Sequence, residues 1–509
     1  MKMSDLAQNG EFWIEIDGES VRAAAGTPLG QLLERRGGLS MPCGGMGRCG
    51  KCRVLLSGQA SPPEEAELRL LSEEERKKGV RLACRVRLEG PCRVRLLREE
   101  APEILLETGR EPAGNRIFPP LFKKLGAAVD IGTTTLAASL YDESGRIAQA
   151  GLANPQASFG ADVISRIEKS LSGEGQALAA SVVQGIECLL EELADRAGRR
   201  AAAIDAVVIT GNTAMLYLLT RRNPQALSRA PFAADWLAGE WMEAKDLGFA
   251  SLNAKVYLPP CISAFVGADI TTALLATDMG RDDRVRMLAD IGTNGEVVLQ
   301  KGGRLLCCST AAGPAFEGAG LSMGMQGRPG AISHVEWNGS DFAVQVIGNV
   351  PASGICGSGV IDAVNALRES GQMDETGYLE EGEAYLTDRV KLTQEDIRKV
   401  QLAKSAVCAG MKAMLDWSDT KTEELSELLV AGGFGSSVNL ENAAAIGLIL
   451  PLAPSSIRVC GNAALTGAAM LLTGEKGTGE ACGLVQKAET VNLAANPVFQ
   501  EAYIEGMYF

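Results

Sequence analysis

The stretch Ala128-Val-Asp-Ile-Gly-Thr-Thr-Thr-Leu136 returns later in the chain as Ala289-Asp-Ile-Gly-Thr-Asn-Gly-Glu-Val-Val298. Each copy starts as an apolar strand, breaks at a Gly-Thr turn and resumes as a second strand, which in the first copy is Leu136–Tyr141. A second turn follows in both, at Asp142-Glu-Ser-Gly145 and at Gly302-Gly303, and leads into a third strand. One Asp-x-Gly-Thr hairpin is a weak signal. Two of them, each with the same succession of strands, are an internal repeat, so most of the chain must fold as two related lobes facing each other. Each hairpin offers backbone amides and hydroxyls to a phosphate: Gly132, Thr133 and Thr134 in the first, Gly292, Thr293, Asn294 and Gly295 in the second. Asp130 and Asp290 can hold a hydrated Mg2+ between them. Further on, the buried strand Leu428-Leu-Val-Ala-Gly-Gly-Phe-Gly-Ser436 opens onto a Gly-Gly turn, and Gly461-Asn-Ala-Ala-Leu-Thr-Gly467 opens a helix. Gly432, Gly433 and Phe434 suit the close approach of an adenosine moiety.

Ahead of the repeat runs Cys43-Gly-Gly-Met-Gly-Arg-Cys49-Gly-Lys-Cys52, with Cys84 in Leu82-Ala-Cys-Arg-Val86. A zinc ribbon would show two CxxC knuckles. Here a single CxxC follows a third cysteine, and the glycines let the backbone curl close enough to give N–H donors to cluster sulfurs. We therefore assign Cys43, Cys49, Cys52 and Cys84 as ligands of a [2Fe–2S] cluster. Cys92 competes for the fourth place, but its setting, Gly90-Pro-Cys-Arg-Val94, reads as a closing strand. The flanking pattern agrees with a redox domain. Phe12, Ile14 and Ile16 alternate with polar or exposed partners, and Asp17-Gly18 turns the chain into a second strand through Val21 and Ala23. Thr27 caps a helix with Pro28 at its first position and Leu29, Leu32 and Leu33 as its apolar stripe. Strands are predicted at 51–56 and 81–87, with a charged helix over 63–77. Together these describe a β-grasp ferredoxin.

At 509 residues the chain exceeds one hydrophobic core. The expected domains are a ferredoxin over 1–97, a Pro- and charge-rich tether over 98–125, and ATPase lobes over 126–284 and 285–509. A net charge of −14 argues against a nucleic-acid partner. The N-terminus lacks an apolar signal and no segment is a clean membrane span, so the cytoplasm is expected and most of the 13 cysteines should be thiols or metal ligands. Several residues have plainer roles. His334, the sole histidine, is expected to be structural, Cys307-Cys308 to pack at a strand end, and Asp162 and Arg166 to form an ion pair one helical turn apart. Cys356 lies in a Gly-rich nucleotide-side loop, and Gly318–Gly330 is an internal connector.

The two Asp-x-Gly-Thr turns and the Gly-Gly turn resemble the phosphate and adenosine elements of the actin, sugar-kinase and heat-shock ATPase superfamily, whose lobes are ribonuclease H-like. Asn154-Pro-Gln-Ala-Ser-Phe-Gly-Ala-Asp-Val-Ile-Ser-Arg-Ile167, Gly211-Asn-Thr-Ala-Met215, Pro314-Ala-Phe-Glu-Gly318, Gly354-Ile-Cys-Gly-Ser-Gly-Val-Ile-Asp362 and Thr393-Gln-Glu-Asp-Ile397 with Gln401-Leu-Ala-Lys404 narrow the likeness. With the ferredoxin loop, they resemble the ATP-dependent reductive activators of corrinoid proteins from about residue 10 to the C-terminus. Two departures stand out: a short tether where larger relatives carry an extra domain, and Tyr217 where relatives often have histidine. The resemblance implies a [2Fe–2S] cluster, ATP and Mg2+ as cofactors, and a corrinoid protein of a methyltransferase system as partner. It implies an electron donor such as a reduced ferredoxin or flavoprotein, and a homodimer. The activity implied is one-electron reduction of inactive Co(II) to Co(I). Rival readings are an ATP-driven donor to another enzyme, a redox-sensing ATPase regulator and a small-molecule kinase.

Overall fold

The computed structural model describes residues 11–35, 39, 47, 52–97, 116–433, 438–493 and 496–509. Cys43, Cys49, Phe434 and most of the 98–125 tether lie outside the described residues. The chain divides into two compact units, residues 1–102 with 155–161, and 103–154 with 162–509.

The first unit is a five-stranded sheet ordered β2-β1-β5-β3-β4, from β1 (Glu11–Ile16), β2 (Glu19–Ala24), β3 (Arg53–Ala60), β4 (Val80–Leu82) and β5 (Leu88–Leu96). Positive φ at both Asp17 and Gly18 closes the β1–β2 hairpin with the handedness that matches strand twist. Ile14, Ile16, Leu29, Leu33, Val54 and Val94 meet in the core beneath helix Leu29–Arg35. The helix starts just after Pro28, which bridges to Arg87. Two further expectations are corrected. The charged 63–77 segment is two helices, Glu65–Leu70 and Glu73–Lys77, because Leu71 turns extended and buries its side chain. The 81–87 strand stops at Leu82, where the chain enters a 3-10 turn, Ala83–Arg85. Glu67 holds this corner. Fully buried, it accepts from Arg81 Nε at 2.8 Å and Nη2 at 2.9 Å, from the Leu82 amide at 2.9 Å and from the Glu64 amide at 3.0 Å. Burial works to raise its carboxyl, yet these donors outweigh it and the group sits below its ordinary value. That stabilisation is full above the unfolded carboxylate value of about 4.3 and drains away as pH falls through the lower folded value. Glu67→Ala leaves Arg81 and two amides without their acceptor. It is expected to destabilise this unit by about 3 kcal/mol, measured by thermal unfolding, with the difference from wild type shrinking in acid.

The second unit repeats one sheet design twice. The first sheet runs β10-β11-β9-β6-β7-β8, from β6 (Leu125–Ile131), β7 (Thr135–Asp142), β8 (Gly145–Ala153), β9 (Ile204–Gly211), β10 (Glu240–Glu243) and β11 (Lys255–Leu258). The second begins with β12 (Arg286–Ile291), β13 (Gly295–Lys301) and β14 (Arg304–Thr310). A small sheet of β15 (Ala331–Trp337), β16 (Phe342–Val346) and β17 (Gly354–Ile355), and the ribbon β18 (Glu383–Tyr385) with β19 (Lys391–Thr393), are inserted next. β20 (Glu427–Gly432), β21 (Ile457–Gly461) and β22 (Ala488–Thr490) complete the order β21-β20-β12-β13-β14-β22. In both sheets the first three strands are antiparallel neighbours; β9 and β20 then pair parallel to the first strand, and β11 and β21 pair parallel to β9 and β20. Register repeats as well: Ile131 faces Gly211 and Ile291 faces Gly432. A Cβ on Gly432 would lie 2.3 Å from the Ile291 carbonyl oxygen, so the strand ends meet only because this residue is glycine. The duplication read from the two hairpins is thus an architectural one.

Between the sheets pack helices Ala268–Ala276 and Ala463–Thr473, with Ile270, Leu274, Leu465 and Leu472 meeting Ala128, Val208, Leu288 and Leu429. Each of the larger side chains buried there is worth about 1.5–3 kcal/mol over leaving it exposed. This core sets the two hairpin turns against each other. Cys307 and Cys308 are buried in mid-strand β14 rather than at its end. Cys356 is the N-cap of helix Gly357–Glu369, so the Gly-rich segment is a strand end and the first turn of a helix, not a loop. His334 Nδ1 lies 3.0 Å from Asp362, which also accepts from Asn442, a packing role. Tyr217 donates to Asp235 at 2.5 Å and accepts from the Trp236 amide, pinning that segment. No helix among the described residues is long and apolar enough to cross a membrane.

Candidate functional site

Each hairpin turn is tightened by a bond from its glycine amide to a carbonyl within the turn, three residues on in the first and two in the second. The Gly132 amide donates to the Thr135 carbonyl at 2.9 Å, and the Gly292 amide to Asn294 at 2.9 Å. Asn154 braces the first turn from its flank, Nδ2 to the Gly132 carbonyl at 2.7 Å. The Gly313 amide braces the second, reaching the Thr293 carbonyl at 2.7 Å. The turns converge until the Thr134 and Thr293 hydroxyls stand 3.2 Å apart. Asp130, Gly132, Thr133, Thr134, Asp290, Gly292, Thr293, Asn294, Gly432 and Gly433 all line one cavity of about 210 Å³. Gly295 does not line it: this residue opens β13 and packs toward Thr310 and Val407.

Several residues around this cavity escaped the sequence reading. Asn462, the N-cap of helix Ala463–Thr473, donates to Asp130 at 2.8 Å. Arg166 is fully buried and donates to the Thr133 carbonyl at 2.6 Å, while Asp162 caps its helix by accepting from the Ser165 amide. Arg166 is thus a cation set beneath the first turn; burial lowers it to about 10, with the charges of Asp162 and Glu317 acting against this, so it stays charged near neutral pH. Asp269, Glu296 and Glu317 join Asp130 and Asp290 in the cavity wall. Burial, foremost, pushes Asp130 up to about 6, Asp290 to about 7 and Asp269 to about 8. Mutual repulsion adds to this: Asp130 and Glu317 act on Asp290, Asp130 and Asp290 on Asp269. Such a wall asks for a cation. Among the described residues no three His, Cys, Asp or Glu side chains come close enough to grip one metal ion directly. The donor set therefore suits Mg2+, a cation that keeps several of its waters and is held through them by one or two carboxylates and substrate phosphates.

In the first unit, Cys52 ends the cysteine loop and Cys84 sits in the 3-10 turn after β4. A hydrogen bond from the Cys84 side chain, helped by its backbone, outweighs burial and brings the Cys52 thiol down to about 7. Two adjacent thiols, one of them readily ionised, fit a metal–sulfur centre, whose ligands are thiolates. Gly47 lies at φ +69°, where a Cβ would come within 2.9 Å of the Arg85 side chain, so this glycine approaches the Cys84 turn closely. Cys92 instead lies in mid-strand β5, buried against the sheet opposite Gly58, and burial raises its thiol.

Comparison with known proteins agrees with both halves. Residues 14–89 match the family described as 2Fe-2S iron-sulfur cluster binding domain, 125–282 the RACo middle region, and 284–509 the C-terminal domain of RACo, the ASKHA domain. The chain is 33% identical over 440 residues to the corrinoid activation enzyme RamQ of Eubacterium limosum, covering 78% of this chain and 73% of that one. It is 28% identical over 276 residues to the [Co(II) methylated amine-specific corrinoid protein] reductase of Methanosarcina barkeri, over 50% of this chain and 51% of the reductase. A solved structure of a reductive activator for corrinoid,iron-sulfur protein superposes with a TM-score of 0.74 at 26% identity over 98% of both chains. The chain belongs to the ATP-dependent reductive activators of corrinoid proteins, enzymes that join a [2Fe–2S] domain to an ASKHA ATPase body.

Proposed function

We propose that the paired turns bind the phosphates of MgATP and that this binding governs reduction of a corrinoid partner's Co(II) to Co(I). The observation that carries the reading is the convergence of Thr134 and Thr293, one from each repeat, on a single point of the cleft. When bound, the [2Fe–2S] cluster supplies a single electron and MgATP a large free energy of hydrolysis. The residues divide the remaining work. Gly132, Thr133, Thr134, Gly292, Thr293 and Asn294 present amides and hydroxyls to the phosphates, with Arg166 fixing the first turn from below. Asp130 and Asp290 hold the hydrated Mg2+, whose charge relieves the repulsion in the carboxylate wall. Gly432 and Gly433 leave room for adenosine, with Phe434 beside them in sequence. Cys43, Cys49, Cys52 and Cys84 hold the cluster. In this scheme the ferredoxin domain spans 1–97, the tether 98–125 and the lobes 126–284 and 285–509.

Plant-type clusters lie near about −400 mV, and Co(II) is harder to reduce. At about 59 mV per tenfold in equilibrium constant, ATP has to change the relative stability of states. A phosphate bridging both turns does so by favouring one arrangement of the lobes, and with it one affinity for the partner. A reduced ferredoxin or flavoprotein recharges the chain, a second copy completes a homodimer, and the whole works in the cytoplasm, where thiols stay reduced. Reduced protein, MgATP and a Co(II) corrinoid protein mixed without oxygen are expected to give the Co(I) spectrum, and to give none when ATP is omitted. Equal Co(I) with and without ATP, or none with any of several corrinoid partners, would sink the reading.

A further inference from the structure

Glu317 closes a one-turn 3-10 helix, Pro314–Glu317, that follows directly from Gly313 and its bond to the second phosphate turn. Its half-buried carboxylate faces back into the cleft. Oε1 accepts from the Thr293 backbone amide at 2.9 Å, and Oε2 accepts from the Thr293 hydroxyl at 2.8 Å and from the Thr134 hydroxyl as well. A Cβ on Gly292 would stand 3.1 Å from Oε1, so the carboxylate lies against the bare backbone of the turn. Two hydroxyls, a backbone amide and a glycine floor are the surroundings a phosphate oxygen seeks. The hydroxyls come from opposite repeats, so one carboxylate ties both turns together. An anionic carboxylate and a phosphate cannot use these donors at once.

We propose that Glu317 is a specificity-determining residue for the nucleotide: it competes with the terminal phosphate for Thr134 and Thr293, so that a triphosphate displaces it and a diphosphate does not. This rests on nucleotide binding at the paired turns. The terminal phosphate brings more charge and more acceptor oxygens than the carboxylate, and so takes the shared donors. A diphosphate lacks that group and leaves Glu317 on its donors. Displacement has a path outward. Gly318 packs tightly on Met325, and the next residue, Gln326, donates to the Thr135 hydroxyl at 3.2 Å. Between them, the Ser322 amide reaches Asp396 at 2.8 Å and Lys399 donates to the Gly320 carbonyl at 2.7 Å, anchoring the segment to the first turns of helix Gln394–Trp417. The presence of a terminal phosphate is thereby felt at the start of a long helix.

The test is equilibrium dialysis of the full chain, cluster intact, against MgADP and a non-hydrolysable MgATP analogue. Glu317→Ala is expected to tighten the analogue about tenfold, or about 1.4 kcal/mol, and to leave MgADP nearly unchanged. Glu317→Gln keeps the side chain's volume and one acceptor but not its charge, and should tighten the analogue by a smaller factor. It also keeps the comparison open should the alanine variant unfold. Unchanged or weaker analogue binding in the variants, or equal tightening of MgADP, overturns the proposal. Wild-type protein that binds neither nucleotide overturns instead the reading of the cleft, and the proposal with it.

Discussion

Cys84→Ala protein is expected to lose the visible absorbance of the [2Fe–2S] cluster and all ATP-driven Co(I) formation, while Cys92→Ala keeps both. The two cysteines lie only eight positions apart, so sequence spacing separates them poorly. Their surroundings separate them well. Cys84 stands in the short turn that Glu67 and Arg81 hold in place, within hydrogen-bond reach of Cys52, whose thiol it draws down to about 7. Soft thiolates select iron–sulfur centres, and a missing ligand leaves iron with an open position that water or oxygen fills. Cys92 faces the core of the sheet beside Val54 and Val94, where burial keeps its thiol protonated. Replacing it with alanine removes one buried sulfur, at about 1 kcal/mol of stability, and touches no ligand. Anaerobic absorption spectra of the two purified variants decide the matter. A bleached Cys92→Ala beside a coloured Cys84→Ala would reverse the ligand assignment.

Local chemistry was legible in the sequence and long-range contact was not. The Asp-x-Gly-Thr turns announce themselves because glycine and threonine at a strand break serve the turn itself. The two sheets, alike in the order of five strands and in the facing of Ile131 with Gly211 and Ile291 with Gly432, follow from that repeat, while the sixth strand is added at opposite edges, β10 beside β11 and β22 beside β14. The alternation in β1 and the Asp17-Gly18 turn were visible for the same reason. The helix over 63–77 was misread because its charge pattern is continuous, whereas the core takes Leu71 and breaks it. The strand over 81–87 was misread because nothing in its alternation marks Leu82, where the chain enters the 3-10 turn Ala83–Arg85, as its end. Arg166 looked like half of a helical ion pair, since nothing nearby in sequence points to the Thr133 carbonyl. Glu317 lies 183 positions from Thr134, and Asn462 lies 332 from Asp130. Their motifs, Pro314-Ala-Phe-Glu-Gly318 and Gly461-Asn-Ala, were noticed for family likeness and helix initiation, yet their side chains acquire a role only when the lobes close the distance.

Asp290→Asn protein is expected to retain its cluster spectrum, lose about 100-fold or more of its ATP hydrolysis, and give no ATP-driven Co(I). The same change is expected to make the chain harder to melt in the absence of Mg2+ and nucleotide. The two effects have one origin. Asp290 pairs with Glu296 and Ala431 at the end of β12, so its backbone position is held by the sheet and survives the substitution. Its carboxyl is pushed up to about 7 by burial and by the nearby Asp130 and Glu317. Unfolded, it would titrate near 3.9, so between those values the folded chain binds a proton that the unfolded chain gives up. Stability therefore falls as pH rises through that window, and above it the folded chain carries the full cost of a buried charge among like charges. Asparagine removes that cost. A melting-temperature gain that is largest near pH 7.5 and small near pH 4 is the expected signature, and bound Mg2+ should erase it by stabilising wild type alone. A variant that melts like wild type at every pH would show that the carboxylate wall carries no strain. One that still drives Co(II) reduction with ATP would remove Asp290 from the Mg2+ site.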